Sequence, residues 1–294
     1  MEELGTKHRI RKSRPALGRS WRVKKEQLVT LQRLVLTAML ACWTTSCLLP
    51  VGKKEVVVIM ACTKSLSTWG IGQDAVNTIL VPSVERTVTR KELNQFDVKI
   101  ILGFDSGDSF WEQEVNRGIT KTNRIIPVSF VRLHPRRTGV VPFNELARRA
   151  QQLDADFFVR VNDDTEFLNT GWLTNAIEEV NNLSPSRVGA IGPHCLGGTR
   201  RDILTHDMVH RKHLQIFETY YPTELDNWWI DDWITSVYFK RAKIVDAWKV
   251  RHHTKTFGTR YLVNMTQHEL LDSLVLRGQS RLNSFLDDYA ELSK

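Results

Sequence analysis

The sequence has 294 residues, of which 41% are hydrophobic and 25% are charged, a composition that can bury a substantial core and excludes a wholly disordered chain. Residues 1–25 contain nine of the 41 Lys and Arg residues and two of the 33 acidic residues, and so account for most of the formal net charge of +8. The rest of the chain is close to neutral, and we therefore expect no nucleic-acid-binding surface on the folded part.

An uncharged segment follows this basic region. Residues 34–51 contain no charged side chain over 18 residues, and the apolar run begins at residue 28 if Arg33 extends its charge to the membrane surface. Such a run can cross about 30 Å of hydrocarbon, and the positive-inside rule places the basic region in the cytoplasm. We predict a cytoplasmic tail at 1–27, a signal-anchor transmembrane helix at 28–51 and a folded domain at 52–294. A buried core helix and a cleaved signal peptide are the alternatives.

Short apolar runs then alternate with amphipathic segments. The runs typical of strands are Glu55–Ala61, Asp97–Phe104, Arg124–Leu133, Asp156–Val161 and Arg187–Pro193. Apolar residues at helical spacing predict helices over 143–153 and 172–183, and one or two more over 266–292 with an interruption at Gly278. Strands separated by helices predict an α/β fold with a mostly parallel central sheet, whose ligands bind at the carboxyl ends of the strands.

Polar side chains directly follow two of these strands. The sequence DFFVRVNDDTEF ends an apolar run in Asn162, Asp163 and Asp164, and GFDSGD places Asp105 and Asp108 after an earlier run. Since the carboxyl ends of parallel strands lie at one edge of a sheet, we expect the two groups to share a site. The alternative is that these residues form ordinary turns, in which Asn and Asp are common.

A strand that ends in a carboxylate pair after the pattern A-x-x-L-x-A-D resembles the Asp-x-Asp region of glycosyltransferases with the GT-A fold. The resemblance covers residues 55–261 and implies a Rossmann-like α/β sandwich that uses Mn²⁺ or Mg²⁺ to bind a nucleotide sugar. It implies that Asp164 is the direct metal ligand and that Asp163 and Asn162 are directed at the ribose or at metal-bound water, with Asp163 also a candidate metal ligand. Asn at the first position departs from the family motif and leaves the metal with fewer charged ligands.

A second acidic pair lies among aromatic residues in ELDNWWIDDWITSVY. Burial beside indoles raises the proton affinity of a carboxylate, which suits a general base. By the same resemblance, Asp232 is the catalytic base and Asp231 binds acceptor hydroxyls, although these roles can be exchanged. Trp228 and Trp229 can stack on an acceptor sugar. The alternatives are that the acids cap a helix and that the indoles are packed in the core.

The segment KVRHHTKTFGTRY matches the position from which many GT-A enzymes supply a histidine to the metal. The resemblance implies His252 or His253, and strand alternation would direct one of them inward; we slightly favour His253. The other donor-binding residues that it implies are Asp105, Asp108, Lys255 and Arg260. The alternative is an exposed basic loop.

Three histidines precede the second acidic pair. His206, His210 and His213 have helical spacing, which predicts one helix face. Because the segment lacks the Glu of the HExxH motif, we expect no zinc site there. Residues 197–201, rich in Gly and Arg, fit either a loop over the donor or a structural insertion.

The resemblance predicts an enzyme that transfers a sugar from a nucleotide-diphosphate donor to a hydroxyl of a glycan, glycoprotein or glycolipid, with inversion. A UDP-sugar is the donor that the family most often uses. The predicted anchor makes it a single-pass type II membrane protein of the Golgi or the endoplasmic reticulum. The alternatives are a retaining enzyme of the same fold and a non-catalytic, membrane-anchored carbohydrate-binding or scaffold protein.

Overall fold

The computed structural model describes residues 53–134, 142–197, 200, 202–226, 228–257 and 264–292. The predicted cytoplasmic tail, the predicted transmembrane helix at 28–51 and the predicted donor-binding residue Arg260 lie outside these ranges. Within them, every helix is too short or too polar to cross a lipid bilayer.

Eight strands form one sheet. They are β1 (Glu55–Thr63), β2 (Phe96–Asp105), β3 (Val128–Leu133), β4 (Phe157–Asn162), β5 (Thr165–Phe167), β6 (Ala190–Leu196), β7 (Asp207–His210) and β8 (Ala242–His252). Their order across the sheet is β3-β2-β1-β4-β7-β6-β8-β5. The predicted strands are thus all present, although β3 and β6 begin a few residues later than their apolar runs.

The sheet is mostly parallel but includes antiparallel strands: four of its seven strand pairings are parallel, among them the pairing of β6 with β8. The first four strands in spatial order are parallel, as predicted. Strand β7 is antiparallel to both β4 and β6, and β5 is antiparallel to β8. β6 ends at Leu196 and β7 begins at Asp207, and a short connection of this kind favours an antiparallel neighbour.

Helices pack on both faces of this sheet. They are α1 (Val81–Thr87), α2 (Arg90–Gln95), α3 (Glu114–Lys121), α4 (Pro142–Gln152), α5 (Trp172–Asn181), α6 (Lys212–Phe217), α7 (Ile230–Tyr238), α8 (Thr254–Phe257) and α9 (Leu271–Leu292), with a π-helix at Val76–Leu80 and 3₁₀ helices at Phe239–Arg241 and Met265–Leu270. Alternate residues of β1 enter two separate apolar clusters, Val58 and Met60 on one face and Val57 and Ile59 on the other. This explains why the central strands read as continuous apolar runs.

The three histidines with helical spacing do not share a helix, and that prediction is wrong. His206 precedes β7, His210 ends it, and His213 lies in α6. Each is buried in its own surroundings. His213, for example, lies between the Tyr238 hydroxyl and the Tyr220 carbonyl oxygen, and burial lowers its pKa to about 4. The spacing was compatible with a strand, a turn and a short helix as well as with one helix.

The long C-terminal helix continues through Gly278, which is not the predicted interruption. A Cβ at this position would lie 2.4 Å from Val237 Cγ2 and 3.2 Å from Trp233 Cζ2. Both residues belong to α7 and are buried. Gly278 therefore permits a close approach of α9 to the helix that begins with the second acidic pair.

We expect Gly278→Ala to destabilise the protein by about 1–3 kcal/mol, because the added methyl group overlaps a rigid, buried neighbour. Gly118→Ala is the matched control, since Gly118 lies in α3 with no atom within 4 Å of the added Cβ. That control should gain about 0.5–1 kcal/mol from its improved helix propensity. Urea unfolding measures both values. A Gly278→Ala protein as stable as wild type would contradict the close packing of α9 on α7.

Candidate functional site

Polar residues from several elements meet at the carboxyl edge of the parallel strands. β1 lies between β2 and β4, with Cys62 opposite both Gly103 and Asn162. Since neighbouring strands are about 4.8 Å apart, Asp105 at the end of β2 and Asn162 at the end of β4 are separated by on the order of 10 Å. The structure therefore places the two polar strand ends on one edge.

Asp164 and His252 are in contact. Thr165, the first residue of β5, pairs with His252, the last residue of β8. This register places His252 Nε2 3.0 Å from Asp164 Oδ1 and 3.1 Å from Asn162 Nδ2. Asp164 is 1% exposed, and Asp163 beside it is fully buried. A carboxylate, an imidazole and an amide thus converge at the end of β4.

His253 is directed away from this group, contrary to the slight preference for it in the sequence analysis. Its backbone N–H donates to the Asp164 carbonyl oxygen, and its Nε2 lies 3.0 Å from Glu166 Oε2. The Glu166 carboxylate also forms ion pairs with Arg86 and Arg251. Pairing of β8 with β5 decides which imidazole faces Asp164.

The described residues do not supply a complete metal site. In the ranges given above, no three His, Cys, Asp or Glu side chains are grouped closely enough to hold a metal ion. The Asp164–His252 pair can supply two ligands. Any ion bound there would need further oxygen ligands from substrate or water, as is usual where Mg²⁺ binds substrate phosphates.

The two acids of GFDSGD have different environments. Asp105 Oδ1 is buried and has no hydrogen-bond partner among the described residues. Asp108 instead accepts hydrogen bonds from the backbone N–H groups of Ser65, Phe110 and Trp111. Asp108 therefore organises the loop at this edge, as the turn alternative predicted, while Asp105 retains an acceptor for a ligand. Lys255, in α8, is exposed.

The second acidic pair occupies the first turn of α7. Asp231 Oδ1 lies 3.2 Å from Arg160 Nη2, and Asp232 Oδ1 lies 3.4 Å from Arg200 Nη1. Burial is the main cause that raises the pKa of Asp231 to about 6; Asp207 and Asp232 raise it further, and Arg160 opposes them. Neither acid caps the helix, because Trp229 is the N-cap residue and forms no side-chain capping bond.

Two of the indoles near this pair donate hydrogen bonds to backbone carbonyl oxygens. Trp229 Nε1 donates to the Asn264 carbonyl oxygen at 3.1 Å, and its ring centroid lies 4.4 Å from that of His268. Trp233 Nε1 donates to the Leu274 carbonyl oxygen in α9. Trp228 is partly buried. These contacts favour the packing alternative for Trp229, which is partly buried.

Two buried residues near the site were not identified from the sequence. The ring centroids of His206 and His252 are 5.4 Å apart, and His206 Nε2 lies 2.7 Å from Thr165 Oγ1. Burial lowers the pKa of His206 well below its usual range. Arg160 interrupts the apolar strand FFVRVN and is 2% exposed. The available signal was this arginine in a core strand, since buried charges are usually paired.

Comparison with known proteins gives matches in structure alone. No protein-family model matches the sequence, and no curated protein sequence matches it. The S. aureus TarS 1-349 complex with UDP-GlcNAc matches with a TM-score of 0.53 and 12% identity over 80% of this chain and 71% of that chain. The TarS 1-349 complex with UDP matches with a TM-score of 0.50 and 12% identity over 80% and 70%.

Other matches are weaker. The mannosyltransferase PcManGT from Pyrobaculum calidifontis, in complex with GDP-Man and Mn²⁺, has a TM-score of 0.48 and 12% identity over 90% of this chain and 86% of that chain. The match spans 62% of TarS 1-349 without ligand and 36% of the longer TarS structure. The likeness to the two TarS complexes shows that this chain has a mixed α/β fold of the GT-A type.

Proposed function

We propose that this chain is a metal-dependent glycosyltransferase that moves a sugar from a nucleotide-diphosphate donor, a UDP-sugar, to a hydroxyl group of an acceptor. The observation that carries this proposal is the convergence of Asp164, His252 and Asn162 at one sheet edge. At the same edge, Asp105 has a buried carboxylate oxygen that finds no hydrogen-bond partner within the described part of the chain. The fold supports it, since the similar TarS structures contain UDP-GlcNAc and UDP.

The Asp164–His252 pair fits a divalent cation that binds together with substrate. Carboxylate oxygens suit Mg²⁺ and Mn²⁺, and an imidazole suits transition metals, so the pair favours Mn²⁺. Asp163 and Asn162 are the neighbouring groups that would complete or orient the set. A divalent cation held there would neutralise the charge that develops on the diphosphate leaving group.

The Asp105 carboxylate, whose Oδ1 is buried, suits the donor nucleotide. An oxygen that is buried and has no partner costs free energy until it accepts a hydrogen bond. An N–H of the base or a hydroxyl of the ribose would provide that bond. Lys255 and Arg260 follow the metal-binding histidine in the sequence, and we assign them to the donor phosphates.

The acidic pair of α7 acts on the acceptor. Asp232 accepts the proton of the attacking hydroxyl, and Asp231 accepts a hydrogen bond from a neighbouring acceptor hydroxyl; the two roles can be exchanged. The pKa of Asp231, raised to about 6 mainly by burial, gives this carboxylate the proton affinity of a general base if the two roles are exchanged. Attack opposite the departing diphosphate inverts the anomeric configuration. Trp228 and Trp229, both partly buried, would contact the acceptor sugar.

The location and the acceptor are also proposals. The uncharged segment at 28–51 and the basic residues before it support a type II signal anchor that holds the enzyme in the Golgi or the endoplasmic reticulum. A glycan, glycoprotein or glycolipid on the lumenal side would then be the acceptor. Glycosylation-site tags placed at each end of the full chain would test this orientation, and modification of the N-terminal tag would contradict it.

Turnover of a donor panel tests the proposed function. The full chain in detergent, incubated with Mn²⁺ and UDP- or GDP-sugars, should release nucleoside diphosphate, and a chelator should stop the release. Anomeric NMR of the product should show inversion, whereas retention would support the other mechanism of this fold. Tight glycan binding that is indifferent to chelator and to nucleotide sugar would contradict catalysis and support the carbohydrate-binding alternative.

We expect His252→Ala to weaken Mn²⁺ binding in the presence of UDP by at least about 10-fold, since a ligand to the metal is lost. His253→Ala is the matched control from the adjacent position. Its imidazole contacts Glu166 instead, so its Mn²⁺ affinity should remain within about twofold of wild type. Mn²⁺ electron paramagnetic resonance measures the free ion in both titrations. The reverse ranking of the two variants would contradict the assignment of His252.

A further inference from the structure

We infer that Arg160 is a positioning residue that fixes Asp231 relative to the strand carrying the donor-side residues. This inference rests on the proposed function for its kinetic consequence. It concerns a contact between β4 and α7, the two elements that bear the two halves of the site. Arg160 precedes Asn162 by two residues on β4, so both side chains leave the strand on the same face.

All three nitrogens of the Arg160 guanidinium form hydrogen bonds. Its Nη1 donates to the Thr205 carbonyl oxygen at 2.6 Å, and its Nη2 lies 3.2 Å from Asp231 Oδ1. Its Nε donates to Asp207 Oδ2 and to the Tyr221 hydroxyl, each at 2.9 Å. A planar guanidinium with donors on three nitrogens allows few orientations once these bonds are formed.

The partners of Arg160 are themselves fixed. Asp207 is fully buried, and its two carboxylate oxygens accept hydrogen bonds of 2.6 Å from the hydroxyls of Tyr220 and Tyr221. The rings of Phe143 and Tyr221 lie with their centroids 5.8 Å from Arg160 Cζ. These hydrogen bonds therefore fix the position of the guanidinium. In the first turn of α7, the guanidinium contacts Asp231.

Stability alone does not explain this network. Moving a guanidinium and a carboxylate out of water costs several kcal/mol each, and an apolar side chain in their place is often as stable. Arg160 lies on the face of β4 that carries Phe158 in an apolar cluster, where an aliphatic residue would pack well. A buried arginine at this position is explained if Asp231 must be held in one place as an ionised acceptor.

Three groups set the charge state of Asp231. Burial raises the pKa of Asp231 most. The carboxylates of Asp207 in β7 and Asp232 in α7 raise this pKa further, and the guanidinium of Arg160 in β4 lowers it. Arg160 remains protonated at all working pH values. Loss of its charge should therefore raise the pKa of Asp231 further and leave less of the carboxylate ionised at neutral pH.

The test compares two substitutions of Arg160 in the full chain. Arg160→Gln removes the charge, and Arg160→Lys keeps it while losing the fork that contacts Asp207 and Asp231 together. For both we expect transfer kcat/KM to fall by at least about 10-fold with donor hydrolysis largely retained, since misplacement of one catalytic group by about 1 Å is enough for such losses. The acidic limb of transfer should move to higher pH in Arg160→Gln and stay near its wild-type position in Arg160→Lys.

Arg187→Lys is the matched control. Arg187 contacts the ring of Phe157, the first residue of β4, and pairs with Glu55, the first residue of β1, so it lies at the end of the sheet away from the site. It should leave transfer, hydrolysis and the pH profile unchanged. Equal losses of transfer and hydrolysis in both Arg160 variants, with an unshifted pH profile, would show a purely structural role and overturn the inference.

A stability measurement separates this inference from the proposed function. Because the pKa of Asp231 is raised from its usual value of 3.8 to about 6, ionisation of this one group removes stability as pH rises between these two values, a contribution that Asp231→Asn lacks. The difference in Tm between these two proteins should grow over that range. In an Arg160→Gln background the growth should extend to higher pH. If the Tm difference depended on pH in the same way in both backgrounds, the inference would be overturned, whether or not the enzyme transfers sugar. If the Tm difference grew to higher pH in the Arg160→Gln background but the wild type transferred no sugar, only the proposed function would be overturned.

Discussion

Replacing Asp164 with alanine should abolish Mn²⁺-dependent turnover of the donor, with a loss of about 1,000-fold or more. Among the residues that the structure describes, Asp164 is the acid whose carboxylate contacts His252. Metal stabilisation of a departing diphosphate contributes several kcal/mol to the barrier, and each 1.4 kcal/mol is about tenfold in rate. The rate of UDP release from a UDP-sugar, measured with and without Mn²⁺ for the wild type and for Asp164→Ala, gives the loss of Mn²⁺-dependent turnover.

Asp246→Ala provides the control for this substitution. Asp246 is an exposed residue of β8, the strand that ends in His252, so it shares the scaffold without contacting the site. Its turnover should match that of wild type. If Asp164→Ala kept wild-type turnover while Asp246→Ala was also unchanged, Asp164 would not be a metal ligand and the donor half of the site would have to be placed elsewhere.

Replacing Asp232 with asparagine should lower transfer by about 100- to 10,000-fold while donor hydrolysis by water falls much less. The range is that of a lost general base. Asparagine keeps the size of the side chain and its place in the first turn of α7, and it loses proton affinity. The ratio of transfer product to released sugar measures the effect.

Asp272→Asn is the matched control, because Asp272 is an exposed acid in the first turn of α9. It tests whether removal of a negative charge near a helix N-terminus matters by itself. We expect both transfer and hydrolysis to be unchanged. Equal losses of the two reactions in Asp232→Asn would contradict its role as the acceptor base.

The pH profile of transfer should carry an acidic limb near pH 6. The pKa of Asp231 is raised to about 6, above its usual value, so the group is protonated below this pH and ionised above it. Transfer kcat/KM should therefore fall as pH decreases through about 6, and the limb should change in Asp231→Asn. Because Asp231 and Asp232 are adjacent, the apparent pKa values belong to the pair.

Much of the fold could be predicted from local sequence patterns. The apolar runs located the strands because a strand buried on both faces needs apolar residues without alternation. Asn162 and Asp105 could be placed at one sheet edge, because parallel strands end together. Strand β7, which pairs antiparallel with β4 and β6, was not predicted. Its position in the sheet depends on tertiary packing, and the spacing of the histidines in and around it also matches a helix.

The details of the site depended on contacts between distant residues. The choice between His252 and His253 is set by the pairing of β8 with β5, which places Thr165 opposite His252. A shift of one residue in that register would have exchanged their roles. No local pattern contains this information, and strand alternation alone left both histidines open.

Close packing was equally hidden from the sequence. Gly278 looked like a helix interruption because glycine weakens helices. In the structure it allows α9 to contact Val237 and Trp233 on α7. Arg160 and its partner Asp207 are 47 residues apart in the chain, and their pairing depends on β7 lying next to β4. Both features stabilise or position the acidic pair through tertiary contacts.

We propose that Asp164 and His252 hold one divalent cation together with the donor diphosphate. Crystals of the full chain grown with Mn²⁺ and UDP, measured near the manganese absorption edge, test it most directly. We predict one anomalous peak at roughly 2.2 Å from an Asp164 carboxylate oxygen and from His252 Nε2, a distance typical of such ligands, with the UDP phosphates beside it. A peak at other residues, or UDP bound away from this edge without the ion, would contradict the account.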